Sequence, residues 1–299
     1  AIGASGGGTV LVGGERAGGP GLTPAGSTLV DGASTIRADA TGSGGGGTVV
    51  VWSENGTRVD GALSARGGPA GGDGGFIETS GRRQLAVSQA PDASAPQGKG
   101  GTWLLDPNNL RITGSGPDSN VSGAPLYSTT ADNAVVAAYS IANALNSGTS
   151  VTLSTSSGGT QAGTITLEAP ILKTAGGDAA LTFNAHGGIN LQSSISSSSG
   201  KLDLTLQPDS DANGSGSLLA TSLSSLDLNG GSLSLSGFAV LGGRINAEAL
   251  FTSPDSALTL PAGGFLRLAG TTTASQLQGT LALTGGSLEV NGAGAQLND

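Results

Sequence analysis

The chain has 299 residues, of which 55 are glycine, and it contains no cysteine, no methionine and only 11% charged residues. Its formal net charge of −9 argues against nucleic acid as a partner, because binding to phosphates requires a basic surface. Glycine this frequent without a Gly-X-Y period excludes collagen, and the hydrophobic residues are grouped in short runs rather than dispersed as in a disordered chain.

Short apolar runs recur along the first part of the chain, most of them directly after glycine pairs. They begin at Thr9, Thr28, Thr48, Phe76 and Thr102. Their β-branched composition favours strands, and their spacing of roughly 20–28 residues is typical of a solenoid in which each unit is one coil. A second strand is predicted in each coil, over residues 35–38, 62–65, 85–88 and 110–113. We expect the glycines at the corners, where turns are tight and backbones approach closely.

Several stretches in these coils carry a family resemblance, in an order that covers roughly residues 25 to 210. They are 48–52, 61–68, 72–81 (GDGGFIETSG), 101–108 (GTWLLDPN), 141–146, 151–153 and 169–174. The chain resembles large exoproteins of the filamentous haemagglutinin type, which are secreted across the Gram-negative outer membrane by the two-partner route. The resemblance implies a right-handed parallel β-helix, an adhesin-like role, an outer-membrane transporter as a partner during secretion, and a secreted or cell-surface location.

Two further features of this region bear on its chemistry. The run from Gly71 to Gly75 resembles calcium-binding nonapeptide repeats, but it occurs once, so we interpret Asp73 as a loop residue. Without cysteine the protein depends on a continuous core rather than on disulfides. A chain without disulfides also suits passage through a membrane pore, as the resemblance implies.

Residues 117–150 interrupt the repeat. Apolar residues between Ala134 and Leu145 have helical spacing, with Asp132 as a candidate N-cap and Gly148 as a C-terminal stop. We predict one short helix over residues 132–147 that packs its alanine face on the solenoid, with partner docking as the functional alternative. The chain is therefore divided into glycine-rich coils over 1–116, an irregular segment with the helix over 117–150, and Leu-, Ser- and Thr-rich coils over 151–299.

Strands are predicted again from Val151 onward. They cover residues 164–167, 180–183, 189–191, 202–206, 226–228, 233–235, 257–260, 265–268, 281–283 and 288–290. About fourteen coils at the strand spacing of ~4.8 Å would make a rod on the order of 70 Å long. The fold class predicted from the sequence is thus all-β, a parallel β-helix with one short helix inserted.

Candidate catalytic chemistry is sparse. The single histidine, His186, lies in a predicted turn, which favours an exposed polar residue over a metal ligand or a catalytic base. Asp203 and Asp227 share a Leu-Asp-Leu setting, and on adjacent coils they would form a carboxylate pair suited to acid–base chemistry. Trp52 and Trp103 are candidates for sugar-stacking platforms or for packing at a corner. We expect no catalytic residue, no metal site and no cofactor.

Three acceptor triplets predict sites of N-glycosylation, at Asn55, Asn120 and Asn213. The alternative for each is a short turn that uses asparagine for its backbone conformation.

Two function classes follow from these observations. The first is a structural and adhesive rod segment of a secreted bacterial surface protein, which binds a host or bacterial surface glycan or protein. The second is a carbohydrate-active or carbohydrate-binding β-helix. A solenoid needs capped ends, and neither terminus of this sequence supplies a cap. We therefore expect the same helix to continue in a longer parent chain, or copies to associate end to end into a filament.

Overall fold

A computed structural model describes residues 1–115, 121–122, 128–129, 134–156, 161–269 and 275–291 of the chain. The chain forms a parallel β-helix in which successive coils add one strand to each of several parallel sheets. This confirms the predicted all-β solenoid with one short helix. We name the long sheets A, B and C in the order in which the chain enters them.

Sheet A contains nine strands in chain order. They are Thr9–Val12, Thr48–Ser53, Phe76–Gly81, Thr102–Leu105, Ser150–Ser154, Ala179–Asn184, Leu202–Gln207, Leu233–Leu235 and Leu250–Thr252. Their register stacks one inward-facing position through all nine strands. The ladder is Val10, Val49, Ile77, Trp103, Val151, Leu181, Leu204, Leu233 and Leu250. The stacked register makes the core continuous along the axis. Each leucine buried in this way stabilises the fold by roughly 1.5–3 kcal/mol.

Sheet B contains eleven strands. In spatial order they are Ser27–Val30, Gly56–Val59, Gln84–Val87, Ala134–Ala137, Leu110–Thr113, Ile165–Leu167, Ile189–Leu191, Ser217–Ala220, Phe238–Leu241, Ala257–Pro261 and Thr280–Thr284. One strand is out of chain order. After Leu110–Thr113 the chain leaves the coil and returns, so that Ala134–Ala137 inserts between Gln84–Val87 and Leu110–Thr113. The excursion contains a short antiparallel pair, Val121–Ser122 and Ser128–Thr129.

The third side of the helix changes along the axis. At the start it has only the two short strands Thr35–Arg37 and Ala62–Ser64. Further along it is sheet C, with six strands. They are Ile171–Lys173, Ile195–Ser197, Ser225–Asp227, Arg244–Ala247, Phe265–Leu268 and Ser287–Val290.

The α-helix, α1, spans Ala138–Asn146 and packs most closely on the first strand of sheet C. The prediction of a helix over 132–147 is right in its existence and end but wrong in its start. Residues 134–137 are extended because they pair on both sides within sheet B, which outweighs their helical spacing. Ala137 is therefore the N-terminal cap position, and Asp132 lies outside the described residues.

The helix ends in a Schellman motif. Gly148 has a φ of +86°, its N–H donates to the carbonyl of Leu145 at 3.1 Å, and the N–H of Thr149 donates to the carbonyl of Ala144 at 3.0 Å. This confirms Gly148 as the stop. The described residues include no helix with the length and hydropathy of a membrane span.

The number of coils is smaller than the sequence predicts. The strand that begins at Thr9 pairs with the strand that begins at Thr48, whereas Thr28 lies in sheet B. The unit at Thr28 is therefore not a coil of its own. The predicted second strands likewise divide between faces: those at 35–38 and 62–65 lie on the third side, and those at 85–88 and 110–113 lie in sheet B. The rod has about ten coils, and it extends roughly 40–50 Å at the ~4.8 Å strand spacing.

Candidate functional site

The predicted carboxylate pair is not formed. Asp203 lies in sheet A, where its Oδ1 accepts a hydrogen bond from the N–H of Ser232 at 2.9 Å. Asp227 lies in sheet C, beside Ser196 and Asn246. The similar sequence around the two residues recurs on different faces of the coil, so they cannot share a reaction centre.

The tryptophans are not exposed platforms. Trp103 is fully buried inside the coil, and its Nε1 donates to Oγ1 of Thr79 at 2.9 Å. Trp52 points outward from sheet A but is covered by the segment 13–25, which contains the 3₁₀ turn Arg16–Gly18. A Cβ at Gly14 or Gly18 would lie 2.8 or 2.6 Å from the indole. Glycine is therefore required for this segment to lie against the ring.

His186 is partly buried rather than exposed as predicted. Its Nε2 lies 3.2 Å from Oδ2 of Asp211, and its backbone N–H donates to Oγ1 of Thr155 at 3.2 Å. The turn that carries His186 packs on the neighbouring coil, which removes part of the ring from solvent. We interpret these interactions of His186 as a local structural contact.

Asp73 is one of several side chains that tie successive coils together. Its Oδ1 accepts from the N–H of Lys99 at 2.8 Å, and further along the axis Oδ1 of Asp178, which also precedes a sheet A strand, accepts from the N–H of Lys201 at 2.8 Å. In the described part of the chain, no group of three or more His, Cys, Asp or Glu side chains lies close enough to share a metal ion. Asp73 is thus a loop residue that bridges coils.

Two of the predicted glycosylation sites lie on the surface. Asn55 is exposed in the turn between sheet A and sheet B, and Asn213 is exposed in a turn where its Oδ1 accepts from the N–H of Ser215 at 2.8 Å. Asn120 lies outside the described residues. Glycosylation stays a prediction, and an intact mass equal to the bare chain in material from the native host would contradict it.

A different group of polar residues lies beneath and beside the segment 13–25. Arg16 stacks on Phe76, with 4.1 Å between the guanidinium carbon and the ring centroid. Glu78 is completely buried, and its carboxylate accepts from the N–H of Ala17 at 3.0 Å. Alternation along the strand places Phe76 and Glu78 on the outer face of sheet A, so the segment is fastened to that face.

At the edge of this segment is a cavity of about 310 Å³. It is lined by Ala17, Trp52, Arg82, Asp106, Asn108 and Ser156. Oδ1 of Asn108 accepts from Oγ of Ser156 at 3.1 Å, and the Asp106 N–H donates to Oγ of Ser80 at 3.2 Å. Oδ1 of Asp106 has no contact with solvent and no hydrogen-bond partner among the described residues.

The two carboxyl groups in this region share an unusual electrostatic setting. Burial raises the pKa of Glu78, the hydrogen bonds from Ala17 and Ser80 offset part of that effect, and the charge of Asp106 adds to it. Burial also raises the pKa of Asp106, opposed by the positive charge of Arg82. Perturbed carboxyl groups beside a cavity are a recognised mark of functional sites, so this cavity is the candidate site.

The sequence analysis missed these residues, although a signal was present. Glu78-Thr79-Ser80 is a polar run inside a predicted strand, and Asp106-Pro107-Asn108 directly follows another. Parallel stacking of these two strands at Phe76 and Thr102 brings their carboxyl ends to one edge. The sequence does not indicate that segment 13–25 covers the outer face of sheet A, because this segment has no strand or helix pattern.

Comparison with known proteins adds no identification. No family model matches the chain, and no curated protein matches it. The relation to exoproteins of the filamentous haemagglutinin type therefore stays a prediction that depends on the residues quoted for it.

Proposed function

We propose that this chain is a structural and adhesive rod segment of a secreted bacterial surface protein. The observation that carries the proposal is the continuous parallel β-helix, whose inward ladder runs through every strand of sheet A. A solenoid of this kind is a quasi-one-dimensional stack of coils, and it presents many outward positions for contact along its length. Its partners would be an outer-membrane transporter during secretion and a surface glycan or protein during attachment.

The proposed location is the surface or the exterior of a Gram-negative bacterium, in accord with the family resemblance and the absence of cysteine. The net charge of −9 would limit side-to-side clumping of rods and leave axial contacts open. End-to-end self-association into filaments belongs to the same proposal, and light scattering over a concentration series would test it.

Adhesion is tested by display of the chain on the surface of a non-adherent laboratory bacterium. We expect the displaying cells to attach to cultured epithelial cells or to a glycan array more than cells that display the anchor alone. Equal attachment of both strains on every surface would contradict the adhesive role. Electron microscopy of the purified chain would check the rod shape independently.

The second candidate function is carbohydrate binding, and the cavity beside Asp106 is the observation that favours it. Carbohydrate cleavage has less support. Asp203 and Asp227 are on different sheets, and Glu78 is covered by Ala17.

A further inference from the structure

We infer that the cavity beside Asp106 binds one ring of a neutral sugar through its hydroxyl groups. The inference rests on the second candidate function, carbohydrate binding, and specifies its site and ligand class. It depends on three features of the cavity: its size, its hydrogen-bonding groups and the balance of its charges.

The size favours a small ligand. Pockets for small molecules range over roughly 300–1,000 Å³, and this cavity, at about 310 Å³, lies at the lower end. One sugar ring fits such a volume, whereas a longer glycan would extend out of it along the surface. Trp52 also lines the cavity, but it is only 3% exposed beneath segment 13–25, so the ligand would be held by the polar lining rather than by stacking.

The hydrogen-bonding groups suit hydroxyls, which both donate and accept. Asp106 lines the cavity, and no side chain or backbone group of the described residues donates to its carboxyl group, so this group is an acceptor for a hydroxyl. Asn108 is only 4% exposed, its Oδ1 accepts from Ser156, and its amide nitrogen is a donor group at the cavity. A sugar hydroxyl that donates to Asp106 and accepts from Asn108 would satisfy both groups.

The charges of the cavity select neither sign of ligand charge. Asp106 would repel an anionic sugar and attract a cation, whereas Arg82, whose guanidinium lies 5.8 Å from the Trp52 ring centroid and whose charge acts on Asp106, would do the opposite. A neutral ligand agrees with this balance of one acidic and one basic group. Binding rather than cleavage is inferred because Glu78 does not line the cavity and already accepts from Ala17.

The test uses D-mannose, D-galactose and N-acetyl-D-glucosamine as neutral probes, with D-glucuronate and calcium chloride as charged probes. Binding to the full chain is measured by saturation-transfer NMR and by tryptophan fluorescence. We expect at least one neutral sugar to bind saturably, and Asp106→Ala to weaken that binding about tenfold or more, as expected for the loss of a hydrogen bond to a charged acceptor. Asp106→Asn keeps the shape and one acceptor, so its loss should be smaller.

Asp227→Asn is the matched control, because it removes a carboxylate from another sheet and should leave binding unchanged. Thermal unfolding followed by circular dichroism checks that each variant is folded. Sugar binding that Asp106→Ala does not alter would overturn the site while leaving carbohydrate binding by the chain intact. Absence of binding by all three neutral sugars, or Asp106-dependent binding of D-glucuronate or calcium instead, would overturn the inferred ligand class.

Discussion

The coils before α1 and the coils after it differ in how the third side of the β-helix is built. In the first part the third side is narrow. The buried alanines Ala38, Ala65 and Ala93 lie directly against the glycine pairs that lead into sheet A. In the second part, sheet C separates the corners, and its strands point larger residues such as Ile171 and Ile195 into the core.

Glycine is required by the geometry of the first part. Gly47, Gly75 and Gly101 stack in successive coils, and a Cβ on each would lie 2.0 Å from the carbonyl oxygen of the glycine below. The N–H groups of the same three glycines donate to the carbonyls of the buried alanines at 2.7 Å. The glycine excess of this chain therefore reflects a narrow, closely hydrogen-bonded corner. In the second part the positions in register with these glycines are Thr149, Ala179 and Leu202, which carry side chains.

The largest effect is expected from truncation of the ladder that joins the two parts. Leu204→Ala should lower the free energy of unfolding by about 2–5 kcal/mol, because it leaves a cavity in a fully enclosed core. Urea unfolding is followed by circular dichroism for the whole chain and by fluorescence for the first part, which contains both tryptophans. Since the core is continuous, both signals should shift together.

Leu219→Ala is the control, because Leu219 faces outward from sheet B with 43% of its surface exposed. It should change the stability by no more than about 0.5 kcal/mol. A Leu204→Ala variant in which the fluorescence midpoint does not move would show that the two parts unfold independently.

A substitution at a stacked glycine tests the comparison directly. Gly75→Ala should destabilise the fold by about 1–3 kcal/mol, because the new methyl group overlaps the carbonyl of Gly47 and the coils must separate. Gly177→Ala is the matched control: a Cβ at Gly177 would meet no atom within 4 Å. Equal stability of both variants in urea would refute the requirement for close approach in the first part.

The sequence was sufficient for the element type but not for the way the coils close. The runs at Phe76, Thr102 and Leu202 are strands as predicted, because β-branched and alternating apolar residues need a pleated, half-buried surface. The face on which a run lies depends on the lengths of the loops before it. For this reason the sequence predicts a separate coil at Thr28, although the structure places this run in sheet B.

Other features have no local signal at all. The local sequence does not indicate that Lys173 is buried. In the structure its side chain points inward and is fully buried. Its Nζ donates to the carbonyl of Ala175 at 2.8 Å and to that of Ser199. Its environment is created by the turn of the next coil, 26 residues away. The site around Asp106 was missed for the same reason, since Arg82, Asn108 and Ser156 come from three different coils or turns.

The covered face of sheet A in the first part predicts an unusual pH dependence. The pKa of Glu78 is raised by burial above the ordinary value of 4.5, and that of Asp106 is raised by burial above 3.8. The folded state therefore holds these protons more tightly than the unfolded state does. The contribution of the two groups to stability must fall as the pH rises from these ordinary values through the raised pKa values.

The double variant Glu78→Gln/Asp106→Asn removes both titrations. Its stability relative to the unmodified chain should rise as the pH is raised from 3 to 7, as measured by urea midpoints at each pH. The relative measure is needed because the pKa of Asp39 is lowered: hydrogen bonds from Arg66, Arg37 and Ser64 outweigh its burial. That group loses its stabilisation as the pH falls. Asp203→Asn, on the open outer face of the second part, is the control. A stability difference that stays constant with pH would contradict the prediction.

The smallest effect is expected at the junction of the two parts. Arg111, on the sheet B strand Leu110–Thr113, forms a two-pronged ion pair with Glu168, which follows the first sheet B strand after α1. Nε lies 2.8 Å from Oε1, and Nη2 lies 2.7 Å from Oε2. Both side chains are partly exposed, so Glu168→Gln should cost about 0.2–1 kcal/mol, and less at high salt.

The pH dependence of this pair should be opposite to that of the covered face. The hydrogen bond from Arg111 outweighs partial burial and holds the pKa of Glu168 below its ordinary value of 4.5. Its stabilisation is therefore present above pH 4.5 and is lost as the pH falls through the lowered pKa. Glu289→Gln is the control, because its contact with Arg267, at 3.5 Å, lies wholly within the second part. Urea midpoints at pH 7 in low salt and in 0.5 M NaCl, and again at pH 3, measure both variants. A loss for Glu168→Gln that persists unchanged at pH 3 would show that the carboxylate charge is not what joins the two parts at this point.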